Sequence, residues 1–175
     1  MNKTGFCGPI LMMVLAGVSL LSAQEVFCRL LDRETSRMFV PDRIPMETEL
    51  LAVDFRYVAA LQFPDQSRLA FAAIATSGLS AQIRAKYQYV LISEARLQLG
   101  GTNIPPGMVG FGLEATDTKA VTGTLVAREI SGREIDRLTL RQDPEAKSTG
   151  IFLTPKGPKE FELRIGKYVI QGAQR

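Results

Sequence analysis

Two hydrophobic rhythms divide the chain. Near the start, residues 10–21 (ILMMVLAGVSLL) form one apolar run broken only by Gly17 and Ser19. From residue 46 onward, apolar residues recur at every second position in short bursts. Gly, Pro, Asn and Asp separate the bursts, which is the rhythm of β-strands. In 46–63 (METELLAVDFRYVAALQF), Leu51, Val53, Phe55, Tyr57 and Ala59 alternate with Ala52, Asp54, Arg56 and Val58. This predicts a half-buried strand stopped by Pro64 and Asp65. Residues 68–76 (RLAFAAIAT) suit a helix by alanine content or a buried strand by length, and Gly78 ends either. Residues 79–92 (LSAQIRAKYQYVLI) fit one long strand. They fit better a short helix capped by Ser80, running to Lys86, with a strand from about Tyr87.

Further strands are predicted at 96–99, 108–115, 121–130, 134–140, 150–154, 160–165 and 168–171. Ser131-Gly132 and the PKGP of 155–158 are the turns between them. In 108–115, Val109, Phe111 and Leu113 share one face. Gly110 and Gly112 lie on the other, where a neighbour or ligand can approach the backbone. GGTNIPPG (100–107) reads as one turn, so 100–112 should be a rigid connector between two paired strands. The pattern specifies an all-β, β-dominated domain over 46–175, a meander closing as a sandwich or barrel with one or two short helices. Residues 24–45 stand apart as an Arg-rich segment, a short helix or an ordered arm. Val26, Phe27, Leu30 and Leu31 have loose helical spacing there, and Pro41 and Pro45 mark a linker.

The early apolar run changes the picture of location. Lys3 precedes it and the small Ser22 and Ala23 follow it, the layout of a cleavable signal peptide over residues 1–23. A bilayer span needs about 20 apolar residues, and no later segment supplies them. The expectation is a secreted or periplasmic domain starting near Gln24, with no integral membrane segment after cleavage. The whole chain carries 21 Lys and Arg against 18 Asp and Glu, and the leader removes only Lys3. These charges are interleaved, which gives no footprint for nucleic acid. Cys7 leaves with the leader. Cys28 then stands alone, as a small buried hydrophobe or as a bridge to a second chain.

The absence of histidine removes Ser-His-Asp and Cys-His nucleophile systems and the familiar zinc sites. No nucleophile elbow, phosphate loop or dinucleotide fingerprint is present. No cofactor or metal is expected, and Glu114, Thr116, Asp117 and Thr118 read as a solvated turn rather than a calcium site. Two chemistries are left. A carboxylate pair, Asp54 with Glu94, would serve a secreted hydrolase. Alternatively, Tyr87, Tyr89, Phe111 and Tyr168 would line a cleft with Arg84, Lys86 and Glu94 at its mouth, binding a small ligand or an envelope protein. The plainer account of those aromatics is core packing. With no Trp, a sugar platform is disfavoured. A non-enzymatic binding module is the favoured reading and the hydrolase its alternative.

Three segments, GLSAQIRAKYQYVLISEARLQLGG, TNIPPGMVGFGLEA and ELRIGKYVI, resemble an uncharacterised family of exported bacterial proteins. Its members join a KYQ helix end to a strand with an acidic residue, a G-G-x-x-hydrophobic-P-P-G turn and an aromatic-glycine strand. Met108 departs from the aromatic or Ala common after that turn. The resemblance covers about half of the mature chain and implies export and a β-rich fold, with no activity attached.

Overall fold

The computed structural model describes residues 27–114, 122–145 and 149–175. The proposed leader lies outside them. In chain order the elements are β1 (Arg29–Leu30), α1 (Arg33–Phe39), β2 (Arg43–Met46), β3 (Glu49–Gln62), β4 (Arg68–Ile74), α2 (Ala81–Lys86), β5 (Tyr89–Ser93), β6 (Leu97–Leu99), β7 (Thr102–Ile104), β8 (Gly107–Glu114), β9 (Thr122–Arg128), β10 (Glu134–Gln142), β11 (Ile151–Pro155), β12 (Glu160–Ile165) and β13 (Tyr168–Gln174). The strands form one antiparallel sheet in the order β1-β3-β4-β5-β8-β9-β10-β13-β12-β11. β2 is added on β3, and the β6–β7 hairpin on β13. The fold is therefore all-β, and the sheet curls into a nearly closed barrel. β3 and β11 face each other across the seam with Cα atoms within 8 Å and no ladder between them. The segment before α1 laces the lower seam: Cys28 N donates to Gly157 O at 3.5 Å and Leu31 N to Ala60 O at 2.9 Å.

Alternation along the strands sorts side chains into two apolar layers. Leu61, Phe63, Phe71, Leu91, Phe111, Leu125, Leu138, Phe161 and Leu163 fill the barrel. Leu97, Leu99 and Ile104 of the β6–β7 hairpin join them, each fully buried. The barrel is thus a packed core rather than a channel. The outer face of β3, β4 and β5 carries a second layer of Ala60, Ala70, Ala72, Ile74, Val90 and Ile92. Val40, Ile44, Met46 and Tyr87 cover it. β4 is consequently buried on both faces. That explains why 68–76 shows no alternation: a strand covered on both sides reads as a continuous apolar run.

Three expectations change and one open choice is decided. First, 27–45 does not stand apart: its short helix packs on the sheet, and the expected linker forms a strand. Asp32 caps α1 by accepting from Thr35 N, so the helix starts two residues after the apolar cluster expected to form it. Pro45 sits in β2 opposite Leu50; among the described residues β2 pairs with β3 alone, so the missing N–H is tolerated at an edge. Second, 100–107 is not one turn. Gly100 and Gly101, both at positive φ, close the β6–β7 hairpin. Pro105 and Pro106 then release the chain into β8, which pairs with β5 and β9, so 100–112 does not connect two mutually paired strands. Third, of the helix and the buried strand left open for 68–76, the strand forms, over Arg68–Ile74. Fourth, β3 changes phase midway, with consequences described below. The short helix ending at Lys86 is as expected: Ser80 accepts from Ile83 N. Gly110 and Gly112 also accommodate a neighbour, α2 and the tyrosine after it. A Cβ on Gly110 would lie 2.6 Å from the Tyr87 ring, and one on Gly112 2.6 Å from Ala85 O.

Candidate functional site

β3 pairs with β4 in regular register up to Asp54↔Ala73 and resumes at Val58↔Ala72. Phe55, Arg56 and Tyr57 therefore have no opposite residue. Such a bulge bends its strand and re-aims side chains. It also flips the pleat: Leu51 and Val53 face the outer layer before it, and Val58 and Ala60 after it. The bulge is braced from within. Asp54 accepts from Arg56 N at 3.1 Å, from Nε at 2.9 Å and from Nη2 at 2.7 Å. These bonds from Arg56 hold the Asp54 carboxyl below its usual range. The Arg56 guanidinium in turn lies 5.7 Å from the Tyr57 ring centroid.

On one side of the bulge, at the barrel seam, opens a cleft of about 420 Å³. Asp54, Tyr57, Ile74, Gln88, Tyr89 and Ile151 are among its lining residues. Tyr57 is 43 % exposed. Tyr89 is stacked on Phe71 with centroids 5.6 Å apart, and burial pushes its phenol up from the ordinary tyrosine value. Gln88 accepts from Leu113 N at 3.0 Å through Oε1, and its carboxamide nitrogen has no partner among the described residues. The cleft thus combines two phenols, a carboxamide donor and an ion-paired carboxylate with aliphatic walls. That is the make-up of a site for a small ligand with both polar and apolar parts.

On the other side of the bulge, between α1 and β3, lies a second groove of about 410 Å³. It is lined by Leu31, Arg33, Ser36, Arg37, Phe55, Arg56 and Val58.

Of the residues singled out from sequence, Asp54 and Tyr89 border the seam cleft and the others border neither cavity. Tyr87 is fully buried and donates to Glu47 Oε1 at 2.8 Å; Lys86 Nζ reaches the same oxygen at 3.0 Å. Burial and that carboxylate push the Tyr87 phenol far up. Phe111 is inside the barrel, 5.7 Å from Phe71. Tyr168 packs inside too, against Gly123. Arg84 lies exposed on α2. Glu94 accepts from Arg68 N at 2.9 Å and from Nε at 3.0 Å, which lowers its pKa.

The structure does not bring Asp54 and Glu94 together. Asp54 is level with Ala73 at one end of β4 and Glu94 with Arg68 at the other. Five residues separate them, roughly 17 Å at about 3.3 Å per residue, against the roughly 5–10 Å of glycosidase carboxyl pairs. Glu114 is paired with Arg137 at 2.8 Å, and residues 116–118 of the proposed turn lie outside the described residues. Tyr57 and Gln88 were missed as cleft residues. The signal for Tyr57 is the change of apolar phase between Val53 and Val58, which a strict period-two reading overrides. No protein-family model, curated protein or solved structure matches the chain, so the site rests on its own geometry.

Proposed function

We propose that the chain is an exported, non-enzymatic β-barrel domain, working in the periplasm or outside the cell, that binds a small ligand in the seam cleft. The observation that carries this is the braced bulge beside the seam, which holds Tyr57 half exposed over an open cavity while the other aromatics singled out from sequence, apart from Tyr89, are fully packed. Pockets for small ligands typically span about 300–1,000 Å³, a range that includes the cleft. A carboxylate hydrolase is disfavoured. Its two candidates sit at opposite ends of β4, and arginines keep both ionised, which suits neither for protonating a leaving group. Export is supported by the three-part leader and by the resemblance to an exported family.

The test uses the chain's own chromophores. It has four Tyr and no Trp, and two of those tyrosines line the cleft. A panel of sugars, amino acids, nucleosides and small phenols is titrated against the mature protein, read by tyrosine emission and by melting temperature. The expected result is a saturable response from one class, lost in Tyr57→Ala. No response from any class, or an undiminished one in Tyr57→Ala, overturns the assignment. N-terminal sequencing of exported protein should begin at Gln24; a retained Met1 overturns the export claim.

A further inference from the structure

Several arginines on the barrel wall are neutralised. Arg68 pairs with Glu94, Arg128 with Glu134, Arg137 with Glu114 and Glu134, and Arg164 with Asp143. In the groove between α1 and β3 the pattern breaks. Arg33 and Arg37, one helical turn apart on α1 and so on one face, line the groove. Neither meets a carboxylate among the described residues. Arg37 lies 5.4 Å from the Phe55 ring centroid, a cation–π contact that holds the guanidinium over the apolar floor, and its N–H groups donate to no partner among the described residues. Arg56, on the facing bulge, uses Nε and Nη2 on Asp54 and retains Nη1. The Ser36 hydroxyl is occupied, donating to Asp32 O at 2.6 Å. Hydrogen bonding in the groove therefore comes from guanidinium groups, and none of its lining residues carries a carboxylate. Leu31, Phe55 and Val58 supply a short aliphatic and aromatic floor.

We propose that this groove is an anion site for an amphiphile: a phosphate or carboxylate held by Arg33 and Arg37, joined to a short apolar group lying on Leu31, Phe55 and Val58. Guanidinium groups bind both anions through paired N–H donors, so the two share one recognition chemistry. The groove is distinct from the seam cleft, since the two cavities share no lining residue. The bulge separates them, with Asp54 and Tyr57 on one side and Phe55 and Arg56 on the other.

The probes are hexyl phosphate and hexanoate, titrated calorimetrically into the mature chain, with hexanol, inorganic phosphate and phosphatidylglycerol vesicles as the other arms. Hexyl phosphate or hexanoate should bind at one site. Affinity should fall at least tenfold in the Arg33→Gln/Arg37→Gln double variant and should weaken as salt is raised. Hexanol should not bind, and inorganic phosphate should bind at least tenfold more weakly than hexyl phosphate. Both arginines are exposed, so the double variant should melt like the parent, which separates lost binding from lost fold. Unchanged affinity in that variant, equal binding of hexanol, or equal binding of inorganic phosphate overturns the proposal. Arginine-dependent binding to vesicles without binding of either soluble probe also overturns it, and makes the face a membrane contact instead.

Discussion

The wall formed by β5, β8 and β9 and the seam between β3 and β11 are parts of one sheet with opposite habits. On the wall, five consecutive pairs join β5 to β8 and five join β8 to β9, with no register shift. Its aromatic Phe111 and its glycines are committed to packing. At the seam three residues of β3 are unpaired, Tyr57 is exposed, and an open cavity lies on each side of the bulge. Unbroken pairing leaves few of the wall's side chains to a ligand, Tyr89 at its end among them. Irregularity frees several at once, and Asp54 and Arg56 hold the irregular segment in one shape. Chemistry-bearing residue types are therefore poor guides here, because most of them serve the wall.

The largest effect expected from this contrast is at Gly112. Its backbone lies under the end of α2, and a Cβ would meet Ala85 O at 2.6 Å and Lys86 O at 2.8 Å. Both contacts are backbone, so relief requires moving the helix. That movement strains the Gln88–Leu113 and Arg128–Lys86 hydrogen bonds. Overpacking of this kind costs about 1–3 kcal/mol, and Gly112→Val should fall at the upper end. Urea melts of the variant decide it; parental stability would mean that α2 is loosely held and the wall less rigid than its pairing implies.

Gly107 marks the start of the wall and separates two causes of strain. Its φ is +114°, yet nothing lies within 4 Å of a Cβ placed there. A substitution is thus penalised by backbone conformation alone. A β-branched residue resists positive φ, so Gly107→Val should lose roughly 1–2 kcal/mol in thermal or urea melts. Equal losses in Gly107→Val and Gly107→Ala would identify φ as the cause. No loss in either would show that the chain leaving Pro106 is conformationally free.

Most of the wall and little of the seam were legible in the sequence, for physical reasons. Alternation survives where a strand has one core face and one exposed face, as in β12 with Phe161, Leu163 and Ile165. It vanishes in β4, which is covered twice. It misleads in β3, where the bulge inverts the faces and makes Tyr57 appear to share a side with Leu51. Tyr87 was chosen as a binding residue because it is polar and aromatic, but Gly110 beneath it marked a packing contact. Pairing between distant strands, which separates Glu94 from Asp54, leaves no local trace in the sequence.

A pH measurement sharpens the comparison at Tyr87, whose hydroxyl ties the wall to Glu47 on the β2–β3 turn. The pKa of Tyr87 in the fold lies well above the ordinary value of about 10. Its contribution is complete below pH ~10 and is lost as pH rises further, because the unfolded chain then ionises and the folded one does not. Tyr87→Phe should cost about 1 kcal/mol near neutral pH for the lost hydrogen bond. The gap from the parent should then narrow above pH ~10. Tyr89, raised by burial alone, keeps part of the alkaline loss in the variant. A constant gap from pH 7 to pH 11 would show that Tyr87 ionises in the folded protein and is not sealed beneath the turn.

The smallest effect belongs to the seam. Tyr57 has no opposite residue on β4, is 43 % exposed and contacts the Arg56 guanidinium only across its ring face. The Asp54–Arg56 brace does not pass through it. Tyr57→Ala should therefore change stability by no more than about 0.5 kcal/mol, the usual limit for surface positions, while removing one aromatic wall of the cleft. Stability and binding should separate at this residue, with melting preserved and the ligand-induced change in tyrosine emission lost. At Gly112 the two should fall together, because moving α2 displaces the adjoining Gln88 and Tyr89. A Tyr57→Ala protein destabilised by 2 kcal/mol or more (a core-like loss) would mean that Tyr57 props the bulge open. The division between a structural wall and a working seam would then have to be redrawn.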